Sequence, residues 1–91
     1  MNYVLLYSFV EDYHERRVPY REEHLKLARE AHARGDLVMA GAFGDSPAGA
    51  VVIFREDGKA AAEDYVKRDP YVANGVVTEW KIRPWNVAVG G

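Results

Sequence analysis

The chain has 91 residues, 48% of them hydrophobic and 29% charged, which is typical of one small folded domain, here 1–91 with a frayed tail at 88–91. Its formal net charge of −2 leaves no basic surplus, so we expect no nucleic-acid partner. Because the chain has no cysteine, the sequence excludes disulfides, thiolate catalysis and cysteine-based zinc sites.

Apolar and helix-forming segments separated by turn signals predict six main elements. The first, Tyr3–Val10, is too short to span a bilayer and has no preceding Lys or Arg. We therefore expect a strand there, no membrane contact and a cytoplasmic protein. The charged stretch Glu11–Pro19 predicts a loop. The remaining predicted elements are a helix at Tyr20–Arg34 that Gly35 ends, strands at Leu37–Phe43 and Ala50–Arg55 joined by a turn at Gly44–Gly49, a helix at Lys59–Arg68, a hook at Pro70–Gly75 and a strand at Val76–Trp85.

The resulting order, β-α-β-β-α-β, is that of the ferredoxin-like α+β fold with an antiparallel sheet. The first and third strands are apolar on both faces, whereas the fourth alternates apolar and charged residues as an edge strand does. Two helices cover only one face of such a sheet, so a monomer would expose a large apolar patch. We therefore predict a homodimer that buries the second face.

His24 is the histidine best placed for chemistry. It shares a helix face with Leu27, Ala28 and Ala31, which points it toward the sheet. A core histidine with satisfied hydrogen bonds is one interpretation, and a general acid or base in a pocket is the other. At about 1.5 Å per residue, His32 lies about 12 Å away along the helix, so the two histidines cannot share a metal, and we expect no metal site.

A carboxylate that orients His24 must come from elsewhere in the chain. Asp36 lies about 18 Å down the same helix axis, which is too far. Asp69 ends the second helix, beside the first one, and is a candidate, although Asp before Pro also marks the start of a helical hook. Arg21, in the first helical turn, either turns inward to hold a carboxylate or enolate or remains solvated near Glu22.

Two segments carry a family resemblance. Arg21–Gly41, which begins R-E-E-H-L and ends in G-D-L-V-M-A-G, and Asp69–Trp85, which begins D-P-Y and continues through G-V to P-W, resemble the corresponding motifs of YCII-related proteins. The resemblance spans nearly the whole chain. It implies a dimeric α+β barrel in which two ferredoxin-like sheets pack face to face.

The same resemblance implies a site. The histidine and aspartate of these motifs are a candidate catalytic pair, and they correspond here to His24 and Asp69. Arg21, Tyr20 and Tyr7 are then candidates for binding the substrate, with no cofactor. The chain departs from the family where Ala42 and Ala50 stand in place of a proline and a serine, so any substrate contact made by that serine hydroxyl is lost.

Two functions remain open from the sequence. The first is a cofactor-free lyase, resembling a dehydrochlorinase, or an isomerase that transfers a proton on a small cyclic or enolisable metabolite. The alternative is a non-catalytic small-ligand-binding or accessory module in which His24 and Asp69 are structural. An open cavity beside an accessible imidazole nitrogen would favour the enzyme.

Overall fold

The structure is a computed structural model that describes residues 1–44 and 46–90. Its elements follow the predicted β-α-β-β-α-β order; two short helical turns are added before the first long helix, and the predicted hook forms a third short helix. The elements are β1 (Asn2–Phe9), α1 (Tyr13–Arg16), a 3-10 turn (Val18–Tyr20), α2 (Arg21–Ala33), β2 (Leu37–Ala42), β3 (Gly49–Phe54), α3 (Lys59–Arg68), α4 (Pro70–Ala73) and β4 (Val77–Trp85). Asp45 of the predicted turn and Gly91 of the predicted frayed tail lie outside the described residues.

The four strands form one antiparallel sheet in the order β2-β3-β1-β4, which confirms the ferredoxin-like fold. The doubly apolar strands β1 and β3 are central, and the alternating strand β4 is an edge. Tyr7 pairs with Ala50 of β3 on one side and with Trp80 of β4 on the other. Trp80 shares the helix-facing side with Tyr7 but remains 45% exposed, because it lies on the edge strand.

The hydrophobic core lies between one face of the sheet and the helices. Leu5 and Phe54, each 0% exposed, supply the sheet side of this core. Ala31 of α2 and Tyr65 of α3 supply the helix side. The helical periodicity of α2 and α3 therefore predicts the buried stripe correctly.

Helix α2 ends where the sequence predicts. Gly35 adopts a left-handed conformation with φ of 86°, which a residue without a side chain adopts at little cost. The amide of Asp36 then donates to the carbonyl of Ala31 at 3.0 Å, closing a Schellman-type end.

The segment Glu11–Pro19 differs from its prediction as a loop. It contains α1 and leads into the 3-10 turn, because the Asp12 carbonyl accepts the amides of Glu15 and Arg16. Tyr13 anchors this segment, since its side chain is buried in the core at 7% exposure. The loop prediction was wrong because the segment is mostly charged, and a single aromatic residue, Tyr13, gave no periodic apolar pattern that would indicate a helix.

No helix of the described residues covers the opposite face of the sheet. The side chains there include Leu6 at 37% and Met39 at 60% exposure, and also Val4, Val51 and Ile53, which are only partly buried. This open apolar face agrees with the sequence, in which the first and third strands are apolar on both faces. No helix within 1–44 and 46–90 is long and apolar enough to cross a membrane.

Candidate active site

Asp69 lies at the junction of α3 and α4, and its carboxylate is fully buried. Proline at position 70 forces Asp69 out of helical geometry, with φ of −73° and ψ of 116°, so α3 ends and α4 begins at this residue. The Tyr71 amide donates to Asp69 Oδ1 at 3.0 Å, so the capping role considered for Asp69 is present. The carboxylate has further partners beyond this cap.

His24 is the partner that comes from the other helix. Its Nδ1 lies 2.8 Å from Asp69 Oδ1, although the two residues are 45 positions apart in the chain. The side chain of His24 is 18% exposed, whereas that of Asp69 is 0% exposed. The imidazole therefore stands between the buried carboxylate and solvent.

Tyr71 fixes the plane of the His24 ring. The two rings are stacked with centroids 3.7 Å apart and planes 2° apart. A hydrogen bond at one ring nitrogen together with a stacked face leaves the imidazole little rotational freedom. Such restraint favours a group that must hold one orientation toward a ligand.

Tyr7 supplies the third hydrogen bond to Asp69. Its hydroxyl donates to Asp69 Oδ2 at 2.7 Å, from the centre of β1. Burial, followed by the negative charge of Asp69, raises the pKa of Tyr7 well above its usual range, so the phenol remains a donor. No buried side-chain nitrogen or oxygen of the described residues lacks a hydrogen-bond partner.

These contacts favour one tautomer of His24. A carboxylate only accepts hydrogen bonds, so Asp69 takes the N–H of His24 Nδ1 as well as the donors of Tyr71 and Tyr7. In the neutral imidazole the lone pair then lies on Nε2. Nε2 is the nitrogen left to accept a proton from a ligand.

A cavity of about 330 Å³ opens between α2, the chain before it and the sheet. This volume is near the lower end of the range for small-molecule pockets, roughly 300–1,000 Å³. Its walls are mainly aromatic and small aliphatic residues, and His24 lies on its surface. The lining residues are Tyr7, Phe9, Tyr13, Arg17, Arg21, His24, Leu25, Ala28, Ala40, Gly41, Ala42, Ala50, Val51, Val52, Tyr65 and Tyr71.

Of the three residues predicted to bind a substrate, two line the cavity and one does not. Arg21 and Tyr7 both line the cavity, but the Tyr7 hydroxyl is already bonded to Asp69. Tyr20 is not among the lining residues; it ends the 3-10 turn and packs against the core. Ala42 and Ala50, the two departures from the family pattern, form part of the cavity wall.

Arg17 is a lining residue that the sequence did not identify. It follows α1, and its Nη1 donates to the Tyr13 hydroxyl at 3.3 Å. The sequence feature that could have identified it is the Arg16-Arg17 pair, but the nearby acidic residues Asp12 and Glu15 made this pair look like part of a solvated charged loop. Within 1–44 and 46–90, no group of three or more His, Asp or Glu side chains is arranged to hold a metal.

The protein is therefore a small α+β protein of the ferredoxin-like type, with a histidine–aspartate pair beside a cavity. The chain belongs to the YCII-related domain family, whose model matches residues 1–86. An uncharacterised protein of Haemophilus influenzae is 31% identical over 94 residues, covering 93% of this chain and 96% of that protein.

The solved structures that resemble this one include the following two. The first is 5-chloro-2-hydroxyhydroquinone dehydrochlorinase from Burkholderia phenoliruptrix AC1100, in complex with 2,5-dihydroxybenzoquinone, with a TM-score of 0.76 at 15% identity over 94% of both chains. The second is a protein from Agrobacterium tumefaciens, with a TM-score of 0.55 at 14% identity over 91% of this chain and 89% of that one. At these identities the likeness concerns the fold.

Proposed function

We propose that the chain is a cofactor-free enzyme that transfers a proton on a small cyclic or enolisable metabolite. The observation that carries this proposal is the 2.8 Å contact between His24 Nδ1 and Asp69 Oδ1 at the wall of an open cavity. Asp69 holds the imidazole with Nε2 as the base and stabilises the imidazolium once it forms. His24 also lines the cavity with a side chain that is 18% exposed, as a base that must reach a ligand requires.

The reaction follows from this geometry. His24 Nε2 takes a proton from an acidic carbon or hydroxyl of the bound molecule, and the electron pair forms a new double bond. In a lyase acting on a chlorinated ring, the imidazolium first returns the proton to the chlorine-bearing carbon, and loss of a second hydroxyl proton then expels chloride. In an isomerase the imidazolium returns the proton to another carbon. Both outcomes balance without an oxidant or a reductant.

The dehydrochlorinase of similar fold suggests the first compound to test. We propose a chlorinated hydroxyhydroquinone as a candidate substrate of the lyase reaction, with chloride release as the assay. His24→Gln should lower turnover by at least about 100-fold, a typical contribution of general acid–base catalysis. His32→Gln is the matched control, because His32 lies on the same helix with an exposed side chain. Equal turnover in the two variants would refute the role of His24.

Enolisable ketones and lactones extend the test to isomerisation. Exchange of their acidic protons in heavy water, followed by NMR, detects proton removal even where no product accumulates. The His24→Gln protein should lose this exchange while keeping its fold by circular dichroism. Exchange that persists at the wild-type rate would favour the alternative, a module that only binds ligands.

We further propose that two copies of the chain associate through the open face of the sheet. The face combines exposed Met39 and Leu6 with the partly buried Val51 and Ile53, which an isolated monomer would leave in water. A symmetric contact between two such faces buries the same residues in both copies. The resulting arrangement is the dimeric α+β barrel.

A further inference from the structure

The charged side chains that line the cavity are all cationic. They are Arg17 and Arg21, and no Asp or Glu is part of the cavity wall within the described residues. Neither arginine forms an ion pair with a carboxylate in the described part of the chain, unlike Arg16, which approaches Asp12 at 3.9 Å. The cavity wall therefore carries two arginine charges that form no ion pair with a carboxylate of the described residues, since the buried Asp69 carboxylate contacts His24 and Tyr7 instead.

Arg17 is held in place by Tyr13. Its guanidinium carbon lies 5.0 Å from the centre of the Tyr13 ring, within the range of a cation–π contact. Tyr13 in turn stacks on Phe9, with ring centroids 4.0 Å apart and planes 10° apart. One N–H of Arg17 bonds the Tyr13 hydroxyl, which leaves four of its five donors for a ligand.

Both arginines line the same cavity as His24. The positive charges of Arg17 and Arg21 oppose the burial that raises the pKa of Tyr71 to about 12. Tyr71 is the ring stacked on His24. A ligand anion bound to the two guanidinium groups would occupy the same cavity as the imidazole.

The geometry points to a substrate class: planar rings that carry two anionic groups, such as two carboxylates, one carboxylate and one ionised hydroxyl, or two ionised hydroxyls. Arg17 and Arg21 each bind one group, because a guanidinium fork matches a carboxylate in a bidentate way. The rings of Tyr7, Phe9, Tyr13, Tyr65 and Tyr71 form the aromatic walls that accept a flat ligand. This inference rests on the proposed function, since it uses the same cavity, but it concerns binding only.

Calorimetric titration with defined probes tests the inference. The probes are phthalate, isophthalate and terephthalate, with benzoate as the single-anion analogue and the corresponding diamides as neutral analogues. We expect at least one dicarboxylate to bind more tightly than benzoate, and the diamides to bind weakest. Arg17→Gln and Arg21→Gln should each weaken that dicarboxylate about 10- to 100-fold, the loss expected for a charge-assisted hydrogen bond.

Arg29→Gln is the control for charge. Arg29 lies on α2, has the same charge and forms no ion pair among the described residues, but it lies outside the cavity. It should leave dicarboxylate binding unchanged. The inference is overturned if benzoate or the diamides bind as tightly as every dicarboxylate, or if Arg17→Gln behaves like Arg29→Gln.

The failure of this inference is distinguishable from failure of the proposed function. His24→Gln should retain dicarboxylate binding within a few-fold, because the imidazole acts on the proton and not on the anions. Loss of turnover in His24→Gln with unchanged binding in the arginine variants would remove the substrate class and keep the enzyme. Arginine-dependent binding together with full turnover in His24→Gln would keep the substrate class and remove the proposed catalytic role of His24.

Discussion

Tyr71 contacts His24 and Asp69 through different groups: its ring stacks on the imidazole at 3.7 Å, and its amide donates to the Asp69 carboxylate at 3.0 Å. The backbone contact depends on α4 and the ring contact on the side chain. Replacing the side chain therefore separates the orientation of the imidazole from the binding of the carboxylate. This separation allows the first prediction.

Tyr71→Leu should loosen the His24 ring, whereas Tyr71→Phe should not. Phenylalanine keeps the stacked face, and leucine loses it while leaving the amide bond to Asp69 in place. The measurement is the tautomer of His24 by ¹⁵N-edited NMR. Wild type and Tyr71→Phe should show the proton on Nδ1, and Tyr71→Leu a mixture of tautomers. A single Nδ1–H tautomer in all three proteins would show that Asp69 alone orients the ring.

Removing the buried carboxylate should destabilise the fold. Asp69→Ala leaves the donors of Tyr7, His24 and Tyr71 without their acceptor, and each unsatisfied buried group costs about 1–3 kcal/mol. The free energy of unfolding in urea should fall by about 3 kcal/mol or more. Asp64→Ala, which breaks only the exposed ion pair with Arg68, should change it by less than about 1 kcal/mol. Similar losses in both variants would contradict the buried network.

Alkaline pH should destabilise the protein through its buried tyrosines. Burial raises the pKa of Tyr71 to about 12, and burial also raises the pKa of Tyr7 and of Tyr65. Because the folded pKa lies above the unfolded value of about 10, the stabilisation is complete below pH 10 and is lost as pH rises toward 12.

Tyrosinate absorbance recorded together with circular dichroism measures this effect. Three of the six tyrosines should ionise only as the protein unfolds. Tyr71→Phe should remove part of the alkaline loss. Ionisation of all six in a single transition near pH 10, with the fold intact, would contradict the burial of these phenols.

Acid pH should act through Asp36, which links the end of α2 to β3. Hydrogen bonds from Arg34 and then Arg55 lower the pKa of Asp36, so its stabilisation is present above the unfolded value of about 4. It is lost as pH falls through the lower folded pKa. Asp36→Asn should cost less than about 1 kcal/mol at pH 7, because the partners are exposed, and nothing near pH 2. A cost that does not change between these pH values would point to packing instead of charge.

The sequence predicts the part of this site that depends on local periodicity. His24 is recognised because it shares a helix face with Leu27, Ala28 and Ala31, and the start of α4 is recognised from Asp69-Pro70. These signals act within one or two turns of chain. They also predict the bounds of α3 without error.

The rest of the site depends on contacts that no local pattern records. The Tyr7 hydroxyl meets Asp69 across 62 residues, and the Tyr71 ring meets His24 only because α4 folds back beside α2. The sequence does not identify Arg17 because its position depends on the short helix α1, which only one buried residue, Tyr13, anchors in a charged stretch. Tertiary packing decides each of these positions, so the sequence predicts the pair and the structure supplies its surroundings.

The homodimer gives the last prediction. If the open face is an interface, light scattering should give a mass twice the 10.3 kDa of one chain, and the melting temperature should rise with protein concentration. Ile53→Lys places a charge in the middle of that face and should yield monomers. Val18→Lys is the control, since Val18 is an apolar residue 68% exposed on the 3-10 turn. A wild-type chain that remains monomeric at micromolar concentration would exclude the barrel, because the apolar face would then be stable in water without a second sheet against it.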